Sequence, residues 1–437
     1  MSGYAEYREV NLPWLKAVPA HWEIRRNKNI FTEQKETVGE RSADYTLLSL
    51  TLNGIIPRDM DGGGKFPESF DKYKIVKNGD MAFCLFDIDE TPRTVGLSGY
   101  NGMLTGAYTI MRVSNINARF IYYYYLALDN GKMLRPLYTG LRKTININTF
   151  QSTKVPVPPR EEQDQIVRFL DWKVSSINKM IAIKEKRRSL IFDLIQLYLF
   201  SDDASQFSIG RIENAFPKNW ESIKAKHIFS ERKEKGHAEE ELLAVTQDKG
   251  VVFKKDCDNH YVQPSNLEDQ KLVCPGDFII SLRSFQGGIE HSRIKGLVSA
   301  AYTVMELSPA YSHIEEYYGF LFKSKPFIQY LNSCVNDIRD GKKIDYKDFR
   351  DCSLPIPPIS TLEKINALRK EYDNATEELN RYATLLRELR MCIISDTVTG
   401  KIDVRGIEIP EYEFVDEDND NVDENLEQGA DEPPEEE

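Results

Sequence analysis

Two short charged triplets are the first residues whose types could do chemistry. Glu33-Gln34-Lys35 and Glu231-Arg232-Lys233 each place a carboxylate two residues before a lysine, as in metal-dependent nucleases that hold a metal ion and stabilise charge. Neither triplet has a fitting upstream Pro-Asp, and such charged runs are more often solvated helix faces. The sequence therefore predicts no nuclease centre.

Other catalytic motifs are incomplete. Cys257 and His260 have the spacing of metal ligands, but no second pair accompanies them, and the 6 cysteines form no CxxC pair. Gly64-Lys65 and Gly341-Lys342 lack the following Ser or Thr of a phosphate-binding loop. No Asn-Pro-Pro-aromatic methyltransferase loop accompanies a Gly-rich cofactor loop. We expect a chain without catalytic activity, metal or cofactor.

A basic segment that contains glycine occurs late in each half of the chain, at residues 139–144 and 338–343. Glycine lets the backbone approach a phosphate, and Arg and Lys bind phosphate or guanine. An ordinary basic loop is the alternative. The candidate DNA contacts are Arg142, Lys143, Thr144, Arg339, Lys342 and Lys343.

The segments 87–94 and 283–288 differ most between otherwise matching flanks. Two readers of different DNA sequences would diverge in this way, although unimportant loops diverge too. Arg and Gln suit guanine and adenine edges. The further candidate contacts are Arg93, Thr94, Arg283, Ser284 and Gln286.

A repeated framework positions these segments. Five motifs recur in the same order in the second half, which predicts two tandem copies of one mixed α/β domain in a chain of the α+β class. The matching pairs are 18–22 with 215–220, 31–36 with 229–234, 78–80 with 275–277, 105–111 with 299–305, and 155–159 with 354–358.

A long helix is predicted after each copy, because residues 161–200 and 361–395 contain no Gly or Pro and follow a Pro-Pro pair. Apolar residues at alternating steps of three and four predict that the helices pair as an antiparallel coiled coil, a rod of roughly 60 Å with pseudo-twofold symmetry. Packing of each helix on its own domain, or a homodimer, are the alternatives. The expected interface residues are Val167, Leu170, Val174, Ile177, Ile181, Ile191, Ile195, Ile365, Leu368, Tyr372, Leu379, Tyr382, Leu386 and Leu389.

The net charge of −12 is concentrated at the C-terminus, where residues 411–437 contain 14 Asp or Glu and no Lys or Arg. This tail is expected to be a disordered solubilising segment, with competition against DNA as the alternative. No apolar run is long enough to cross a membrane, and no signal peptide is recognisable, so a cytoplasmic protein is expected.

Four features occur twice: a Pro-x-x-Trp opening, a Gly-Asp strand, a Ser/Thr-x-Ala-Tyr segment and a Pro-x-Pro-Pro helix start. With Glu161–Ile166 and Thr399–Arg405, they resemble the specificity subunits of Type I restriction-modification enzymes. The second helix departs from the pattern, with Leu362-Glu363-Lys364-Ile365 at its start.

The resemblance implies two target recognition domains that read the halves of a split double-stranded DNA sequence. Paired helices would set the gap and dock two methylation subunits, which use S-adenosylmethionine, and motor-nuclease restriction subunits would cleave. A coiled-coil protein adaptor that never touches DNA is the alternative. The expected divisions are 1–155 and 204–354 for the recognition domains, 156–203 and 355–400 for the helices, and 401–437 for the C-terminal segment.

Overall fold

The computed structural model describes residues 3–52, 54–58, 67, 69–138, 143–199, 220–247, 249–257, 266–282, 284–333 and 344–415. The chain divides into two compact units, one of residues 1–183 with 380–437 and the other of residues 184–379. None of the helices in the described ranges combines the length and hydropathy that a membrane crossing requires.

Antiparallel strands dominate the first unit. They are β1 (Tyr7–Leu12), β2 (Leu15–Pro19), β3 (Glu23–Arg26), β4 (Phe31–Gln34), β5 (Leu48–Thr51), β6 (Gly54–Pro57), β7 (Lys74–Val76), β8 (Asp80–Phe83), β9 (Val95–Leu97), β10 (Gly102–Leu104), β11 (Thr109–Val113) and β12 (Lys154–Val157). A 4-stranded sheet has the order β4-β11-β8-β9, and the other strands pair as β1-β2, β3-β12, β5-β6 and β7-β10. All residues of β8 are buried, as expected of a continuous apolar run.

The second unit repeats this order. Its strands are β13 (Glu221–Lys224), β14 (Phe229–Arg232), β15 (Leu243–Thr246), β16 (Gly250–Phe253), β17 (Lys271–Val273), β18 (Phe278–Ile280), β19 (Glu290–His291), β20 (Gly296–Val298), β21 (Thr303–Leu307) and β22 (Ser353–Ile356). The 4-stranded sheet runs β14-β21-β18-β19, with the pairs β13-β22, β15-β16 and β17-β20. The described residues of the repeated motifs thus lie in or beside equivalent strands, and residues 215–219 lie outside the described residues.

The described helices are α1 (Ala118–Asn130), α2 (Ile147–Ser152), α3 (Arg160–Leu199), α4 (Ser284–Gly287), α5 (Glu315–Leu321), α6 (Lys325–Ser333), α7 (Tyr346–Phe349) and α8 (Ile359–Val398). Asn117 caps α1 by accepting hydrogen bonds from two backbone amides. One buried ring pair recurs in both cores: Phe31 lies 5.9 Å from Phe150, and Phe229 lies 5.6 Å from Phe349.

The two long helices, α3 and α8, are present as predicted, and each has 40 residues. They begin later than the expected boundaries of 156 and 355, because residues 154–157 and 353–356 form strands β12 and β22. A residue that precedes proline is restricted to extended conformations. The Pro-x-Pro-Pro sequence therefore disfavours helix up to its last proline: the strands end just before the Pro-Pro pair, and the helices start just after it.

Contacts within each unit join the two helices. In the first unit, Arg390 of α8 donates a hydrogen bond to Asn178 of α3 at 3.2 Å. In the second unit, Glu378 of α8 lies 3.5 Å from Lys184 and 3.1 Å from Arg187 of α3.

The order of further contacts in the second unit gives the direction of the helices. The ring of Tyr372 lies 6.0 Å from that of Phe192, and Lys364 lies 5.1 Å above the ring of Tyr198. Residue numbers thus fall along α8 as they rise along α3. The two helices are antiparallel there.

The start of α3 is held by the first residues of the chain. Glu162 is buried and accepts hydrogen bonds from the Tyr4 hydroxyl at 2.6 Å and from Trp22 Nε1 at 2.9 Å. His21 Nε2 lies 2.7 Å from the same carboxylate. Burial and the hydrogen bond to Glu162 raise the pKa of the Tyr4 phenol. The Pro-x-x-Trp opening therefore fixes the position where α3 begins.

The C-terminal segment corrects one expectation. The composition predicts that residues 411–415 belong to a disordered tail, but Ser175 Oγ donates to the Glu413 carbonyl at 2.9 Å and accepts from the Val415 amide at 2.7 Å. Upstream, Val404 is fully buried in the first core. The chain stays on α3 as far as Val415, because side chains of α3 satisfy its backbone groups. The acidic residues 416–437 lie outside the described residues.

Candidate functional site

In the first unit, the structure brings together the divergent loop and the end of the basic segment. The Asp87 amide donates to the Lys143 carbonyl at 2.8 Å, and the Ile145 amide donates to the Leu85 carbonyl at 2.6 Å. An isolated β-bridge joins Phe86 to Thr144. Two segments that are far apart in the sequence thus form one surface. Arg142 lies outside the described residues.

Charged side chains fasten this surface. Lys143 Nζ lies 3.3 Å from Asp89 and also bonds Glu90, while the Tyr138 hydroxyl donates to Asp89 at 2.5 Å. The hydrogen bond from Tyr138 lowers the pKa of Asp89 to about 2. Hydrogen bonds to Glu90 and Asp89 raise the pKa of Lys143. Lys143 therefore bridges two acids of the loop, while part of its side chain remains exposed.

Two predicted contact residues are tied to the interior of the first unit. Thr94 is buried, and its hydroxyl donates to Asp129 at 2.6 Å. Arg93 is largely buried and donates to Asp129 at 3.0 Å and to Asn130 at 2.9 Å. Their local role is to hold the loop on the end of α1. We therefore leave both out of the proposed DNA surface.

In the second unit, the two described candidate residues of the divergent loop differ in exposure. Ser284 is buried, and its Oγ accepts from the Ser281 amide at 2.8 Å, which closes the turn into α4. Gln286 is exposed on α4. Arg283, Arg339, Lys342 and Lys343 lie outside the described residues.

Sequence reasoning missed a lysine that has the same contact in both copies. Lys74 of β7 donates to the Tyr108 carbonyl at 2.7 Å, and Lys271 of β17 donates to the Tyr302 carbonyl at 2.7 Å. The Ser/Thr-x-Ala-Tyr segment is thus a turn that a lysine holds before β11 and β21. The signal was present, since both lysines precede an apolar pair that leads to the Gly-Asp turn.

The Gly-Asp motif also has a structural reason. Gly79 and Gly276 have φ values of +88° and +91°, which glycine adopts without strain. The following aspartates accept backbone hydrogen bonds at 3.0 Å for Asp80 and 2.8 Å for Asp277. Both aspartates are buried, and each binds an arginine of the same sheet: Asp80 binds Arg112 on the adjacent β11, and Asp277 binds Arg232 on β14, one strand further away.

The helix residues expected at an interface are mostly buried or half-buried, with two exceptions. Val167, Leu170, Ile177, Ile181, Ile195, Ile365, Leu379 and Leu386 are buried, and Val174, Ile191, Leu368 and Tyr372 are half-buried. Tyr382 and Leu389 are exposed.

The two exceptions show where the predicted seam is wrong. From Tyr372, the least exposed positions of α8 are 375, 379, 383, 386, 390, 394 and 397, in steps of three, four and four. A straight helix drifts from a heptad, and an eleven-residue repeat has about 3.67 residues per turn. The seam therefore passes through Ala383 instead of Tyr382.

Each long helix also has a second, exposed apolar stripe. On α3 its members are Met180, Ile183, Leu190, Leu194 and Leu197, and on α8 they are Tyr382, Leu385, Leu389 and Cys392. Steps of three, four and seven residues place each set on one helix face. Exposed apolar rows of this kind mark protein interaction surfaces.

The charged triplets do not gather a metal site in the described part of the chain. Glu33 pairs with Lys35 at 3.4 Å, and Glu231 pairs with Lys233 at 3.3 Å. Within the described ranges, no three His, Cys, Asp or Glu side chains form a group that could hold a metal ion. Cys257 is described, whereas His260 is not.

Comparison with known proteins identifies similar chains. Residues 68–190 match the family model of the Type I restriction modification DNA specificity domain. The chain is 23% identical over 424 residues to the putative type I restriction enzyme MjaX specificity subunit of Methanocaldococcus jannaschii, which covers 89% of this chain and 95% of that protein. It is 23% identical over 437 residues to the type I restriction enzyme MjaVIII specificity subunit of the same organism, covering 92% and 98% of the two chains.

Solved structures give similar matches. A chain from a structure of the type I R-M system covers 88% of this chain and 99% of its own length, with 12% identity and a TM-score of 0.48. The Type-I restriction-modification system S subunit from M. genitalium covers 92% of this chain and 100% of its own length, with 14% identity and a TM-score of 0.39.

Proposed function

We propose that this chain is a specificity subunit of a Type I restriction-modification system, and that it recognises a two-part DNA sequence with its two units and directs methylation subunits to it. The observation that supports the proposal is that the two units share one arrangement of strands but have different loops. Both units have the same order of strands in the 4-stranded sheet, yet the segments after β8 and β18 differ in sequence and contacts. A common scaffold with different loops is suited to reading two different half-sites.

The surfaces proposed to meet DNA follow from exposure. In the first unit they are the joined segments 86–90 and 143–145, where Lys143 is partly exposed. In the second unit Gln286 on α4 presents an amide, which pairs well with adenine. Base contacts specify the sequence, while cationic contacts to phosphate supply affinity.

The long helices are proposed to act as a spacer and a docking surface. An antiparallel coiled coil of α3 and α8 would fix the distance between the two half-sites, with pseudo-twofold symmetry. The exposed stripe on α3, from Met180 to Leu197, would pack against helices of the methylation subunits. Two similar docking positions fit two methylation subunits.

Chemistry is proposed to reside in the partners. The methylation subunits would bind S-adenosylmethionine and methylate adenine, and the motor-nuclease restriction subunits would cleave unmodified DNA. This chain would only determine the DNA sequence at which its partners act, and the complex would be cytoplasmic. The alternative is a coiled-coil adaptor that binds proteins through both units and never contacts DNA.

The test is methylation sequencing of DNA from cells that express the chain with and without its methylation partner. A split adenine motif that depends on both proteins supports the proposal. An assembled, active partner that modifies no split motif supports the adaptor instead. Gln286→Ala is the matched variant: because Gln286 is exposed, the change should alter one half of the motif and leave the other half intact.

A further inference from the structure

An open groove of about 740 Å³ lies in the second unit, away from the divergent loop on α4. Lys233 follows directly after strand β14, strand β17 contributes Lys271, and the turn before β21 contributes Tyr302. Tyr346, Lys347 and Arg350, on and just after the short helix α7, also line it, together with the acids Glu231 and Asp345. The groove therefore combines four cationic side chains with two aromatic rings.

The acids of the groove are engaged with internal partners. Glu231 lies 3.3 Å from Lys233 and 3.7 Å from Lys271, so it offsets charge at that wall. Asp345 forms a capping box with Asp348 at the start of α7. Lys347 and Arg350 are exposed, and within the described ranges neither has an acidic side chain at salt-bridge distance. Their charges therefore face the solvent.

Internal contacts hold the walls in place. Lys271 donates to the Tyr302 carbonyl, and the Tyr346 hydroxyl donates to the Phe229 carbonyl at 2.7 Å. Burial raises the pKa of the Tyr346 phenol, so this hydroxyl remains a donor at neutral pH. The cations of α7 are thus presented from a fixed wall. A cationic groove with rigid walls is suited to a polyanionic backbone.

The first unit has the equivalent strands and short helix but lacks counterparts of the cations Lys347 and Arg350. It has Lys35 directly after β4 and Lys74 on β7, which match Lys233 and Lys271. Where the second unit has Lys347 and Arg350, α2 of the first unit has Asn148 and Gln151. Amides can accept or donate hydrogen bonds but do not release counterions. The same place in the two copies therefore differs by two cationic side chains. The second unit also has Asp345, Asp348 and Asp351 where the first has Asn146, Thr149 and Ser152, but these acids have internal partners: Asp345 and Asp348 form the capping box of α7, and Asp351 pairs with Lys226 at 3.1 Å.

We propose that this groove binds the phosphate backbone of the DNA half-site read by the second unit, and that the first unit holds its half-site with fewer ionic contacts. The inference rests on the proposed function and assigns its phosphate-binding residues. Each phosphate that a cation neutralises contributes about 0.9 to the slope of log affinity against log salt concentration. The half-sites should therefore differ in salt dependence.

The test measures DNA affinity of the complete chain, assembled with its methylation partner, between about 50 and 200 mM salt. The probes are a duplex with the motif found by methylation sequencing and a scrambled duplex. Lys347→Asn with Arg350→Gln gives the second unit the side chains of the first. We expect the slope to fall by about 2 on both duplexes. Lys255→Gln with Lys295→Gln, which removes equal charge from residues paired with Glu241 and Glu240, should leave the slope unchanged.

Three results would overturn the assignment. The salt slope of the Lys347→Asn, Arg350→Gln variant could equal that of the parent chain. It could instead fall by the same amount in the charge-matched control. The third result is an unchanged slope with weaker assembly with the methylation partner, in which case the groove would be a protein interface. In each case a surviving split motif in methylation sequencing would leave the proposed function intact. A parent complex that prefers no sequence at all would instead remove the proposed function itself.

Discussion

Arg232 donates to both oxygens of Asp277, from Nε at 2.8 Å and from Nη2 at 3.2 Å, whereas the equivalent Asp80 receives its arginine from another strand. In the second unit the arginine is on β14, and in the first it is Arg112 on β11, with its Nε 3.2 Å from Asp80. In the first copy, Gln34 occupies the position equivalent to Arg232. In the second copy, Glu306 occupies the position equivalent to Arg112. The two copies thus satisfy the same buried acid from different strands of the sheet, the adjacent β11 in the first unit and the outer strand β14 in the second.

An arginine placed on β21 should therefore compensate for the loss of Arg232 from β14. Arg232→Gln leaves a buried carboxylate without its partner, which costs about 3 kcal/mol of unfolding free energy. Adding Glu306→Arg reproduces the arrangement of the first unit and should restore most of that loss. Hydrogen exchange of the β18 and β21 amides measures both effects. Equal exchange in the single and double variants would contradict this prediction.

Thr94→Val should affect stability and not DNA binding. The Thr94 hydroxyl donates to buried Asp129, and its removal costs about 1 kcal/mol. Chemical denaturation checks the loss, and DNA affinity at fixed salt should equal that of the parent. Gln286→Ala is the control with the opposite outcome, because Gln286 is exposed. A change in sequence preference caused by Thr94→Val would contradict a purely structural role for this hydroxyl.

The contacts of Asp89 with Lys143 and Tyr138, which form a charged clamp on the first-unit loop, should weaken in acid. The pKa of Asp89 is lowered to about 2, chiefly by the Tyr138 hydrogen bond, so the charged clamp is intact above the ordinary Asp pKa and is lost as the pH falls through about 2. Tyr138→Phe should raise the pKa of Asp89 and move this loss to higher pH. Amide exchange of residues 86–90 between pH 3 and pH 5 measures the shift. Identical exchange in the variant and the parent would contradict it.

The exposed stripe on α3 predicts a docking defect without unfolding. Leu190→Glu with Leu194→Glu should weaken binding to the proposed methylation partner at least tenfold, equivalent to about 1.4 kcal/mol. Leu52→Glu with Tyr100→Glu is the matched control, since these residues are also exposed and apolar. Sedimentation of the assembled complex measures the affinity. Equal loss in both variants would count against a specific docking surface.

Cys84 and Cys392 should differ in the rate at which their thiols react. Burial raises the pKa of Cys84 to about 11, so this thiol remains protonated and unreactive at pH 8. Cys392 is exposed on the apolar stripe of α8 and should be alkylated first. Mass spectrometry of partially alkylated protein gives the order. Protection of Cys392 on assembly would locate the methylation partner on that face, and continued rapid alkylation would exclude it.

The sequence was sufficient for features that depend on local chemistry. The absence of Gly and Pro predicted both long helices, and the Gly-Asp turns predicted where buried strands begin. The repeat predicted equivalent strands because matching motifs impose matching local structure. Features that depend on tertiary contacts were not predictable in this way.

Three particular errors have that cause. The divergence of its loop predicts Thr94 as a contact residue, but α1 carries a buried acid that binds it. Tyr382 fits a heptad that a straight helix does not maintain. Composition alone places Glu413 and Val415 in the tail, although α3 offers Ser175 to their backbone.

The arginine exchange around Asp80 and Asp277 constrains recombination between the two copies. A hybrid that joins β4, with Gln34, to β21, with Glu306, would leave its buried aspartate without any arginine and beside a glutamate. The reciprocal hybrid would crowd Arg232 and Arg112 around one carboxylate. A crossover between these strands would therefore destabilise the hybrid, whereas exchange of a complete domain would keep the aspartate together with its arginine.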